Sequence, residues 1–211
     1  MTELYSGAGE RVARYAEAFD GQITDVVLSV RALDRYWSST LAFGLMRGRG
    51  VPPQGALRRI ASGPRSWRDV VQDVACAVPG ARIHVLPFET FGSRPEAHLN
   101  AVTGADAPMT HARLWLNATP RLPALRDMLD QETAEKLPKG DGRWLPFDAA
   151  QTAALREAYA DDLMWLAGGA DGLATLAQAH TQSQDAGQTP PFAMTRGRHD
   201  DSQDRRMAQA R

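Results

Sequence analysis

An arginine at the end of an apolar β-branched run, followed eight residues later by a serine, is the pattern in this sequence best suited to chemistry. The run Ile23-Thr24-Asp25-Val26-Val27-Leu28-Ser29-Val30 ends at Arg31, and Asp34, Arg35, Ser38 and Ser39 follow. In open α/β sheets, ligands gather at the carboxyl ends of strands. A guanidinium there can fork two oxygens of a phosphate, and a serine on the next helix can add a hydrogen bond beside the positive helix end. The surroundings are basic: from Arg35 to Arg68 there are seven arginines and no Asp or Glu, within a chain of net charge -1. That stretch reads equally as a solvated arginine-rich face or as an anion site. It lacks regular aromatic interleaving, which argues against nucleic acid as a partner.

Other chemistries find less support. The five histidines include no pair at metal-ligand spacing, so no metal is expected. No Gly-x-Ser-x-Gly elbow places a serine for hydrolase chemistry. Asp161 and Asp162 read as a helix surface, and the single Cys76, in the apolar run DVACAV, as a small buried thiol. Glu89, after the second apolar run, is expected to order the Arg31 neighbourhood through an ion pair. Most of the five tryptophans read as core; Trp144, in a basic glycine loop, is a candidate pocket residue.

The elements that must position these groups follow from periodicity. Val12, Ala13, Ala16 and Phe19 predict a helix over 10–19, and residues 23–30 a strand buried on both faces. Leu33, Trp37, Leu41 and Leu45 predict a helix over 32–47, ended by Gly48 and followed by a loop at Pro52-Pro53. Ser66 caps a helix over 67–78, and 81–88 reads as a second strand. Helices are expected over 95–102, 122–137, 148–166 and 172–180. Helix and strand alternate twice, which implies parallel crossovers and an α/β layer architecture. We expect one domain over 1–180 and a disordered polar tail over 181–211, poor in aliphatic residues. The N-terminus lacks the apolar segment of a signal peptide and no run of eighteen apolar residues follows, so the expectation is a cytoplasmic chain with no membrane partner.

Here the sequence resembles a known family. VLSVRALDRYWSS is similar to the 3′-phosphate-binding segment of sulfotransferases, and WRDVVQDVACAVPGARIHVLPFETF keeps that family's order of helix, turn and strand. The segment KGDGRWLPF is similar to its late glycine-rich basic loop, with spacing that departs by one residue at two places, and the wider pattern, with LPKGDGRWLPF and YADDLMWLAGGADG, looks like a subgroup of bacterial sulfotransferase-like proteins. The resemblance covers roughly 23–166. It implies a helix-rich, partial P-loop NTPase-like parallel sheet with few strands. Arg31 and Ser39, with Ser38 as a near competitor, are implied as ligands of the nucleotide 3′-phosphate. Lys139 and Arg143 are implied as second contacts or else are loop charges. Phe88 would stack adenine without a tyrosine hydroxyl. The implied co-substrate is 3′-phosphoadenosine 5′-phosphosulfate, with transfer of its sulfuryl group to an unidentified acceptor hydroxyl or amine.

The family's P-loop-like turn is not matched. Ser6-Gly7-Ala8-Gly9-Glu10-Arg11 is the only glycine-rich turn near the start and reads as a helix start. An N-terminally truncated family member is the expectation, and no catalytic residue can be assigned. Turnover as a transferase would depend on an upstream segment or partner subunit to supply the loop. The alternative is a noncatalytic interaction protein derived from a sulfotransferase, with a partner chain at the exposed sheet edge.

Overall fold

A computed structural model describes residues 3–110, 112 and 118–178. The architecture is α/β and helix-rich, around one small parallel sheet. Helix α1 (Ala8–Ala18) precedes β1 (Asp25–Val30); then come α2 (Leu33–Met46), α3 (Gln54–Ala61), α4 (Trp67–Ala77) and β2 (Arg82–Pro87). Beyond β2 lie the short α5 (Phe88–Phe91), α6 (Pro95–Thr103), α7 (Leu122–Asp127), α8 (Gln131–Glu135), the long α9 (Ala149–Ala167) and β3 (Thr175–Leu176). The strands lie side by side in chain order, with Asp25 opposite Arg82, Val30 opposite Pro87 and His84 opposite Thr175. Parallel neighbours need crossover connections, which is why α2 to α4 stand between β1 and β2.

The core forms where the helices cover the sheet. Val30, Ile83 and Val85 point into a cluster with Trp37, Trp67, Val70, Val71, Leu155 and Leu166. Trp67 is 1% exposed, and truncating so large a buried side chain costs about 3–5 kcal/mol. Helix α1 packs on α4 at Gly9, where a Cβ would stand 2.8 Å from the Asp73 carbonyl oxygen. Ser66 caps α4 as expected, and Asp69 returns the bond to the Ser66 amide at 2.7 Å, completing a capping box. At the amino end of the sheet, Arg82 forks Asp25, and His84 and Thr24 join it. Arg82 first, with the other two, holds the Asp25 carboxyl well below its ordinary value.

Several expectations need correction. Strand β1 is not buried on both faces: among the described residues it is an edge strand, Val27 is 46% exposed and Ser29 is exposed, while Val26, Leu28 and Val30 turn inward. The loop after Pro52-Pro53 contains α3, whose Leu57 and Ile60 join the core. The helix over 122–137 is two short ones, because the Asp130 carboxylate accepts the Thr133 amide and begins a new turn. Up to residue 178, the helix over 172–180 is a 3₁₀ turn at Ala170–Gly172 followed by β3. Gly168 and Gly169 end α9, and the Ala177 amide bonds the Val85 carbonyl at 2.8 Å. Cys76 is exposed, since Val70, Val71 and Val74 take the inner face of α4.

Residues 179–211, which include the whole of the expected polar tail over 181–211, and Trp115 lie outside the described residues. No helix among the described residues is long and apolar enough to cross a membrane.

Candidate anion-binding site

The carboxyl ends of the strands carry the expected group. Arg31 follows the last residue of β1, and α2 begins two residues later. Its carbonyl accepts the Trp67 indole N–H at 2.8 Å, which fixes the turn to the core. Its guanidinium lies 4.5 Å from the centre of the Phe88 ring, so one face of the ring expected to stack adenine is covered by Arg31 itself.

The two serines part company. Ser38 is buried, and its hydroxyl donates back to the Asp34 carbonyl at 2.6 Å, an in-helix bond that removes it as a ligand. Ser39 is half-buried and shares a 2.6 Å hydrogen bond with the Thr119 hydroxyl across 80 residues. Of the pair, Ser39 is the one with a hydroxyl directed off α2.

Lys139 and Arg143 are exposed and make no ion pair among the described residues. Their loop is shaped by the Leu122 amide donating to Gly142 and by Arg126 donating to the Pro138 and Gly140 carbonyls. Trp144 is 5% exposed and packs in a second apolar cluster with Ala42, Leu45, Leu122, Leu125 and Leu137, so it is core and not a pocket residue. Asp34 and Leu45 lie eleven residues apart, about 16 Å along α2. The loop therefore meets the half of α2 remote from Arg31.

What sequence reading missed is a polar face of α9 that reaches this end of the sheet. Arg156, Tyr159 and Asp162, three residues apart, each bond a different early element. Arg156 Nε donates to Asp34 Oδ2 at 3.0 Å. The Tyr159 hydroxyl donates to Glu89 Oε2 at 2.7 Å, and Glu89 Oε1 accepts the Ala32 amide at 3.0 Å. Glu89 thus orders the Arg31 turn through the next backbone amide, in place of the ion pair expected. Burial first, then the Glu89 carboxylate, raises the Tyr159 pKa far above its ordinary value, so the phenol remains a donor.

Asp162 is 3% exposed, not a surface residue. Its carboxylate accepts the Ser66 hydroxyl at 2.7 Å, the Trp67 amide at 2.8 Å and the Arg68 amide at 3.2 Å, capping α4 from another helix. Burial nevertheless outweighs these bonds and raises its pKa. Asp34 is buried as well. Its Oδ2 faces Arg156 and, at 3.7 Å, Arg35 Nε, while Oδ1 has no hydrogen-bond partner. The helical spacing of Arg156, Tyr159 and Asp162 was visible in the sequence; their partners, 70 to 122 residues away, were not.

A hollow of about 410 Å³ opens beside Glu89 and Tyr159, walled by Pro87 at the end of β2, Leu163 and Ala167 of α9, and Leu176 of β3. It is mostly apolar, with Glu89, Thr90 and Tyr159 as its polar lining residues. Among the described residues no three His, Cys, Asp or Glu side chains gather as a metal would require. The arrangement can hold an anion at the end of β1 and an apolar group beside it. Comparison with protein-family models, with curated proteins and with solved structures found no match to this chain.

Proposed function

We propose that the chain is a sulfotransferase-like, cytoplasmic protein that binds 3′-phosphoadenosine 5′-phosphosulfate, or the bisphosphate left after transfer, with Arg31 and Ser39 on the 3′-phosphate. The observation that carries the reading is the junction itself: Arg31 closes a parallel strand, and Ser39 stands on the helix that leaves it. The carboxyl edge of such a sheet is where ligands collect, and guanidinium with hydroxyl suits a phosphate monoester. The apolar hollow beside Glu89 offers room for a base. Sulfuryl transfer to an acceptor hydroxyl or amine would follow by in-line displacement, through positioning and positive charge at the moving group. Those groups are not assigned on this chain, so the activity tied to these residues is nucleotide binding.

A second reading, a noncatalytic interaction protein, is favoured by the outer edge of β1. Among the described residues it has no strand partner, and Val27 is 46% exposed on it. An unpaired edge can accept an extended segment from another chain. Calorimetric titration with adenosine 3′,5′-bisphosphate, alongside Arg31→Ala, separates the two. Binding near 1 μM, about -8 kcal/mol, that vanishes in the variant is the expected result. A folded wild-type chain that takes up no bisphosphate refutes the nucleotide reading and leaves the second.

A further inference from the structure

Arg156 was assigned no role by its sequence context, yet its guanidinium lies at the first turn of α2. Its Nε is 3.0 Å from Asp34 Oδ2, and Arg35 Nε is 3.7 Å from the same oxygen. Two guanidinium groups therefore converge on one carboxylate oxygen, their Nε atoms no more than about 7 Å apart. Like charges that close repel. Asp34 supplies one negative charge against two positive ones, and its side chain is only 6% exposed, so water does little to screen it from below.

The solvent side of the pair is open. The Arg156 side chain is 57% exposed and that of Arg35 is 36% exposed. Each arginine turns Nε toward Asp34. A guanidinium has five N–H donors and Nε carries one of them, and among the described residues the terminal amino groups of Arg35 and Arg156 have no hydrogen-bond partner. Asp34 is the second residue of a fourteen-residue helix, whose backbone dipole adds positive potential at this end, although Glu89 already accepts the Ala32 amide there. Arg31 enters the same turn from β1. With Glu89 also at this turn, the three arginines keep one positive charge in excess of the two carboxylates, which suits an anion with several acceptor oxygens, such as a phosphate monoester.

We propose that Arg156, together with Arg35, is a ligand of the 3′-phosphate, taking the part that the resemblance gives to Lys139 and Arg143. Asp34 is the positioning residue: buried, and facing both arginines through Oδ2, it aims both guanidinium groups at the anion. The inference rests on the nucleotide reading above, because the phosphate is the one assigned to Arg31. Lys139 and Arg143 belong to a loop whose Trp144 packs with Ala42 and Leu45, on the half of α2 remote from Asp34.

The test is calorimetry of the full chain with adenosine 3′,5′-bisphosphate and, separately, with adenosine 5′-monophosphate, which lacks the phosphate in question. Wild type, Arg31→Ala, Arg156→Gln and Arg156→Lys are compared, with a thermal melt of each to establish folding. Arg156→Gln is expected to weaken the bisphosphate at least tenfold and to leave the monophosphate unchanged. Arg156→Lys keeps a cation against Asp34 but loses the fork, so about a fivefold loss is expected. It carries the test if the glutamine variant fails to fold. Bisphosphate affinity at the wild-type level in a folded Arg156 variant, with binding abolished in Arg31→Ala, overturns this inference alone. A folded wild type that takes up no bisphosphate overturns the nucleotide reading and this inference with it.

Discussion

Removing the carboxylate of Asp162 should unfasten α4 from α9. In Asp162→Ala the Trp67 amide loses its acceptor at 2.8 Å, in a residue 1% exposed, where water cannot take over. An unpaired buried donor costs about 1–3 kcal/mol, and loss of a helix N-cap about 0.5–2 kcal/mol. The Arg68 amide is spared, since Ser66 Oγ also accepts it at 3.2 Å. The contributions overlap, so the expected loss is about 3 kcal/mol. Asp162→Asn retains one carbonyl oxygen for the Trp67 amide but turns an N–H₂ group toward the Ser66 side, for a loss of about 1–2 kcal/mol. Urea unfolding followed by tryptophan fluorescence measures both. With a slope of about 2 kcal/mol per molar, the alanine variant should lower the midpoint by about 1.5 M and the asparagine variant by about half of that, at unchanged slope. A loss below about 1 kcal/mol in the alanine variant would refute the argument that a carboxylate on α9 caps α4.

Two further outcomes follow from the same polar contacts. Glu89→Gln keeps only one acceptor for the Ala32 amide and the Tyr159 hydroxyl, so it should cost about 1 kcal/mol and shift the Ala32 amide resonance in a nitrogen–proton spectrum; an unmoved resonance would exclude the bridge. At the other end of the sheet, Asp25 is held below its ordinary value of 3.8, chiefly by Arg82. The folded chain therefore stays ionised at this site where the unfolded chain takes a proton. Its contribution is complete above the ordinary carboxylate range and is lost as pH falls through the lower folded value. Arg82→Gln should move the Asp25 carboxyl titration upward in a carbon-detected experiment, and a titration unchanged by the variant would contradict the fork seen here.

What the sequence revealed and what it withheld divide along the range of the interactions. Helices α1, α2 and α4 and strands β1 and β2 were legible because each carries its own apolar pattern, with local start and stop signals such as Ser66 before α4, while α9 was legible by its length of helix-forming residues after the Asp148 cap. The short α3 and two-residue β3 carry too little pattern of their own. They exist because Leu57 and Ile60 reach the core and because β2 offers His84 and Val85 for pairing. Asp130 broke an apolar repeat that looked continuous, by bonding an amide three residues on. At the candidate site, Arg31 and Ser39 stood out because their spacing is local. Arg156, Tyr159 and Asp162 did not, since a helical polar stripe looks the same whether it meets water or three distant elements. That stripe explains how a sheet of three strands among the described residues holds its carboxyl ends in place. One late helix ties down the starts of α2 and α4 and, through Glu89, the turn after β1. Disturbing any of the three contacts should be felt at Arg31 before it is felt at the amino end of the sheet, where Arg82 and Asp25 form a fastening of their own.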